Sequence, residues 1–118
     1  MKVHIKKLEA ITIITIEGEV ESTEDLVQIT NASANCEIGH ENIILDLSSS
    51  NFKSFDFFNH VQFQQDNAQK SLVLCGVNEN LQLYLDEKFE EDYFNVVPTR
   101  NEAVDMVYME EQERSFFS

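Results

Sequence analysis

The side chains that could carry chemistry are few and scattered. His4, His40 and His60 fall in three separate segments, and no serine or cysteine on a glycine-flanked elbow accompanies them. Nucleophilic catalysis needs a base within hydrogen-bond reach of its nucleophile, so these histidines read as surface or partly packed groups. The two thiols are Cys36 and Cys75; Cys75 lies within the apolar run SLVLCGV, where it serves as a small hydrophobe rather than as half of a disulfide or a metal ligand. Glu17, Glu19 and Glu21 alternate along one stretch and could hold a hard cation or raise one another's pKa. No carbonyl-rich loop accompanies them, and a solvated acidic face is the simpler reading. The patterns G-x-x-x-x-G-K-S/T, G-x-G-x-x-G, C-x-x-C and H-E-x-x-H are absent. The chain is therefore expected to be no enzyme, with no catalytic residues, no metal site and no cofactor.

The densest set of candidates is residues 48–58, SSSNFKSFDFF. Ser48, Ser49, Ser50 and Ser54 are turn formers by default, and their hydroxyls, Ser54 and Ser50 foremost, are also candidate phosphate acceptors. Asp56 can cap a following helix by accepting an amide from Phe58 or Asn59, a bond worth about 1 kcal/mol. A permanent negative charge at that helix start is its second reading. Phe52, Phe55, Phe57 and Phe58 are either core packing around the helix start or the aromatic anchors of an interface.

These residues sit in a chain of 118 residues with an apolar fraction of 42%, three glycines and one proline, suited to one packed core. We expect a single domain over residues 1–113 and a short tail, residues 114–118, in which Phe116 and Phe117 either cap the core or fray. No apolar stretch approaches the roughly 20 residues of a bilayer span, and MKVHIKKL lacks the apolar block of a signal peptide. A cytoplasmic protein with no direct membrane insertion is expected. Twenty-two acids against eight bases give a formal charge of −14, which argues against nucleic acid as a partner. The charge is uneven: residues 86–113 hold ten acids and two bases, either a solvated face or a match for a basic partner.

Periodicity supplies the elements. Residues 2–8 form a short strand with Val3 and Ile5 inward, turning back into residues 11–21, where Ile14, Ile16, Gly18 and Val20 alternate with Thr15, Glu17, Glu19 and Glu21. Ser22 or Thr23, with Glu24 and Asp25, starts a helix carrying Leu26, Val27, Ile29 and Ala34 toward Cys36. Residues 43–47 (IILDL) are a buried strand ended by the serine run. A helix follows from Phe55 or Asp56 to Asn67, then a strand over 71–77, a helix capped by Asn78, a strand over 93–97, and a last helix started by Thr99 and Glu102. The order β-β-α-β-α-β-α-β-α predicts an α/β fold with a mixed, mostly parallel sheet.

Three segments in this order, ITIITIEGEVES, NIILDLSSSNFKSFDFF and SLVLCGVNENLQLYL, followed by DYFNVVPTRNEAV, resemble the STAS family of anti-sigma-factor-antagonist-like domains. GEVE is similar to that family's G-E-L-D, LDLS to its third strand, and LVLCGV to its L-x-L-x-G-V strand. The resemblance implies a STAS-like fold and a non-catalytic regulatory role exercised by protein–protein interaction, in signal transduction and transcription regulation. It implies a partner such as a serine kinase or anti-sigma-like regulator, docked through the turn and N-terminus of the second helix: Ser54, Phe55, Asp56, Phe57 and Phe58. Where the family carries D-S-S-G this chain aligns Ser54, Phe55, Asp56 and Phe57, so a carboxylate stands at the phosphoserine position. Two other roles stay open: a structural subunit of a transporter or lipid-transport assembly, and a small-ligand carrier with a site between Cys75, His60 and nearby carboxylates. A homodimer is also left open.

Overall fold

The computed structural model describes residues 1–33 and 41–117, and for Phe117 the backbone alone. Ala34, Cys36 and His40 lie outside the described residues. The sheet grows from β2 (Ile11–Val20), whose β-branched run favours extended backbone. β1 (Lys2–Lys7) pairs with it antiparallel, as the expected hairpin requires. β3 (Asn42–Phe52), β4 (Leu72–Cys75) and β5 (Asn95–Val97) follow in parallel, giving the strand order β1-β2-β3-β4-β5. Helices α1 (Thr23–Ala32), α2 (Phe57–Asp66), α3 (Glu79–Lys88) and α4 (Arg100–Phe117) follow strands two to five in turn.

The helices divide between the two faces of the sheet. Ile29 of α1, Phe57, Phe58 and Val61 of α2, and Leu81 and Leu85 of α3 pack with Ile14, Ile16, Leu45 and Leu74 in one core. Ala103 and Val107 of α4 cover Ile44, Val73 and Cys75 on the other face. Strands buried on both sides read as continuous apolar runs, which is why IILDL and LVLC carry no alternation. Not every predicted inward residue is inside: Val27 is 52% exposed, and Ile5, on the edge strand, is 36% exposed.

Local signals fix the helix starts. Ser22 and Asp25 form a reciprocal capping box on α1, and the Asn78 side chain accepts the Leu81 amide at 2.9 Å on α3. Thr99 Oγ1 accepts the Glu102 amide at 3.2 Å, starting α4 where expected. The tail expected from residue 114 is instead part of α4, which continues through Phe117 because Arg114 anchors its last turns. Arg114 donates to Ser71 Oγ and Asn42 Oδ1, both at 3.0 Å, and to Glu111 at 2.8 Å. Asn42, 3% exposed, also accepts the Ser71 amide and donates to Ala10 O and Glu111. The far end of the fourth helix is thus tied to the starts of β3 and β4.

The third strand departs furthest from expectation. It was expected to stop at Leu47 before a serine turn, yet β3 runs to Phe52. From Thr15 to Glu17 the second strand advances two residues while its partner advances three, from Asp46 to Ser49, so β3 bulges at Leu47–Ser48. The extra residue shifts the alternation by one and brings both Leu47 and Phe52 into the same core. Gly76, after β4, packs against this bulge: with φ +69°, a Cβ there would lie 2.5 Å from Ser48 Cβ and 2.7 Å from Ser48 Cα.

Two outcomes are expected. Gly76→Ala should destabilise by more than about 2 kcal/mol in urea unfolding, since it meets both a left-handed backbone and the Ser48 main chain. Glu111 is held down to about 2, from an ordinary 4.5, by hydrogen bonds from Arg114 and Asn42. A lowered folded-state pKa gives stability that is complete above 4.5 and lost as pH falls toward 2. The stability gap between wild type and Glu111→Gln should therefore be open at neutral pH and narrow across that window; a gap independent of pH would show the carboxylate to be unengaged.

Candidate functional site

The turn between β3 and α2 begins where the bulged strand ends. The carbonyl of Val20, the last residue of β2, accepts the amides of Lys53 at 2.9 Å and Ser54 at 3.2 Å, pinning the turn to the end of the neighbouring strand. The first helical turn then closes through Phe58 N–H to Phe55 O and Asn59 N–H to Asp56 O. Asp56 occupies the N-cap position, but with φ −58° and ψ −29° it is already helical, and its side chain caps nothing. The capping bond expected from Phe58 or Asn59 is replaced by these main-chain closures. Its own amide donates to Ser54 Oγ at 3.4 Å, and its carboxylate faces solvent.

Aromatic rings set the platform beneath that carboxylate. Phe57 is 4% and Phe58 0% exposed, and both pack on Phe52 with ring centroids 5.8 and 5.2 Å away. Sequence reasoning put all five residues 54–58 against a partner; burial turns Phe57 and Phe58 inward, where they support the turn instead of lining it. Phe55 is half-buried and stacks on Tyr84 of α3, centroids 4.3 Å apart and rings 9° from parallel. Burial first, and then the charge of Asp56, pushes the Tyr84 phenol above its usual value. Tyr84 is thus part of this surface, a role that its helical spacing with Leu81 and Leu85 concealed.

The serines divide. Ser54 is half-buried beside the carboxylate, whereas Ser50 is 9% exposed and donates its hydroxyl to Leu47 O at 2.7 Å. Ser48 donates its amide and hydroxyl to Asp46 Oδ1 at 3.1 and 2.7 Å. Asp46 is the residue that sequence reasoning missed. It is buried, and Arg100, the first residue of α4, reaches it through Nε at 3.0 Å and Nη2 at 2.7 Å while bonding Thr15 Oγ1 at 2.9 Å. Burial pushes the Asp46 carboxyl up, but Ser48 and Arg100 outweigh it and leave it below its usual value. An acid inside the otherwise apolar run IILDL was the available signal.

The remaining candidates do not converge. Cys75 lies under α4, its thiol pushed up to about 12 by burial and by Asp46, whereas His60 projects from α2 on the opposite side of the sheet and meets Gln64 at 3.0 Å. The alternative left open, a carrier site between them, is not assembled. The gap between α1, α2 and the sheet, lined by Ile14, Phe57 and His60 among others, has a volume of about 10 Å³, room for about one water. His4 meets Glu17 at 3.3 Å, Glu19 meets Lys53 at 3.7 Å, and among the described residues no three His, Cys, Asp or Glu side chains are grouped to hold a metal. No helix among the described residues is long and apolar enough to cross a membrane.

Solved structures match this arrangement over nearly its whole length. The anti-sigma factor antagonist SpoIIAA in its unphosphorylated form aligns with a TM-score of 0.65 at 13% identity, covering 91% of this chain and 98% of its own. A variant of RsbS from Moorella thermoacetica, with a serine replaced by glutamate, aligns with a TM-score of 0.71 at 13% identity over 95% and 99%. The chain has a STAS-like fold. A DUF3478 protein from Shewanella loihica, described as SpoIIAA-like in fold, aligns with a TM-score of 0.57 at 14% identity over 90% and 92%. No protein-family model and no curated protein sequence matches. At 13–14% identity the likeness is one of fold alone.

Because Asp56 caps nothing, Asp56→Ala should change unfolding stability by less than about 0.5 kcal/mol. It should also lower the Tyr84 phenol pKa, read by ultraviolet titration with Tyr84→Phe as the reference. A stability loss of about 1 kcal/mol would restore the capping role.

Proposed function

We propose that this chain is a non-catalytic regulatory module that docks a signalling protein through the 54–56 turn, in the manner of the anti-sigma-factor antagonists it resembles in fold. The observation that carries the reading is an exposed carboxylate, Asp56, standing at the start of α2 without a capping bond. With Ser54 and Phe55 beside it and Tyr84 stacked beneath Phe55, it forms a small surface with an aromatic base and a fixed negative charge. Aromatic and charged groups held rigidly from below are what interface anchors require.

The partner class is a serine kinase or anti-sigma-like regulator in the cytoplasm. A carboxylate carries about half the charge of a phosphate near neutral pH, so the turn presents one permanent state to that partner instead of two. Ser54, adjacent and partly exposed, is the better placed of the two candidate phosphoacceptors; Ser50 would have to leave its bond to Leu47. Phe57 and Phe58 serve the interaction from the core by holding the helix start.

Asp56→Lys, assayed by calorimetry against a partner recovered on the wild-type protein, should weaken binding at least about tenfold, the equivalent of about 1.4 kcal/mol. Equal affinity would remove the turn from the interface.

A further inference from the structure

Away from the turn, the sheet ends at β5, whose residues Asn95–Val97 pair with β4 and, among the described residues, with no other strand. Beside this edge the end of α3 and the loop after it enclose an open groove of about 340 Å³. Asp86, Glu90, Glu91 and Asp92 line it, and no lysine or arginine does. Phe89 and Tyr93 form part of its wall, stacked with centroids 5.2 Å apart and rings 16° from parallel. The Tyr93 hydroxyl is fixed by Asp66 and its carbonyl by Gln65 Nε2, so this wall is held from α2.

We propose that the groove and the β5 edge together dock an extended, basic segment of a partner protein. A free edge offers main-chain bonds to an added strand, and side chains alternating along that strand would enter the groove. Carboxylates around aromatic rings suit a lysine or arginine side chain, which gains from both the charge and the ring face. The same acids select against a second copy as occupant. This chain's own basic edge, β1, carries Lys2, Lys6 and Lys7, but Glu17 lies opposite Lys2, and the net charge of −14 makes two copies repel. The sheet's two edges thus differ in charge: lysines mark β1, and the acids beside β5 discourage like-charged partners while admitting cationic ones.

The probe is a short synthetic peptide alternating lysine with threonine, added to the isotopically labelled full chain and followed by amide chemical shifts. Shifts should concentrate on residues 89–97, and affinity should fall at least about tenfold between ~50 and ~200 mM salt as the charges are screened. The double substitution Glu90→Lys with Glu91→Lys should abolish the shifts without altering the remaining spectrum. A control peptide alternating lysine with proline, unable to donate ladder bonds, should bind at least about tenfold more weakly. Equal binding of both peptides would reduce the effect to diffuse charge attraction and overturn the proposal. So would shifts centred on the 54–56 turn, or sedimentation showing a peptide-free dimer that the double substitution dissolves. None of these outcomes depends on Asp56, so this proposal and the reading of the turn fail separately.

Discussion

Asp46 is a carboxylate buried within the sheet, and its satisfaction sets the geometry of everything near it. One oxygen takes the amide and hydroxyl of Ser48; the other takes the guanidinium of Arg100, which reaches on to Thr15. An acid removed from water without such partners would cost several kcal/mol, so the fold cannot close here without making both sets of bonds. The first set shapes the bulge of β3 against Gly76, and the second fixes the start of α4. α4 needs this polar attachment because its fully buried apolar contribution is small, Ala103 and Val107, and Asn42, Glu111 and Arg114 make the corresponding attachment near its other end.

The bulge links that carboxylate to the candidate site. By shifting the alternation of β3, it returns Phe52 to the core that Leu47 already occupies, and Phe52 is the ring on which Phe57 and Phe58 pack. From Phe58 the contacts continue to Tyr84 and then to Phe89, Tyr93 and Phe94. The turn at 54–56 and the groove beside β5 therefore rest on one connected aromatic floor. Rings so packed have few alternative rotamers, which makes both surfaces stiff relative to their polar side chains.

Sequence reasoning reached the strands and helices through signals of short range. Alternation in β2, the caps at Ser22, Asn78 and Thr99, and the apolar runs of β3 and β4 each depend on residues within a few positions. Where it failed, the decisive partner was distant in sequence. The serine run looked like a turn because two of the groups that hold it in a strand, Gly76 against Ser48 and Arg100 on Asp46, lie far along the chain. Asp56 looked like a cap, yet Val20 and the main chain fix the turn first. Phe57 and Phe58 could not be sorted from Phe55, because only the placement of Phe52 and Tyr84 decides which rings face inward. For the same reason the helical reading of residue 114 onward needed Asn42, which lies 72 residues away.

Charge distribution follows from the same internal ties. The chain has only two arginines, and both are engaged by the protein's own acceptors, Arg100 by Asp46 and Arg114 by Asn42, Ser71 and Glu111. Arginine suits this work because its planar fork bonds two acceptors at once. What remains outside to balance twenty-two acids is six lysines, of which β1 holds three. The region from α3 through α4 keeps Lys88 alone beside its acids once Arg100 is committed to Asp46 and Arg114 to Glu111, Asn42 and Ser71. A strongly negative surface there is thus the electrostatic counterpart of how α4 is attached. The fold uses both arginines to tie its own elements together, and an acidic exterior is the consequence.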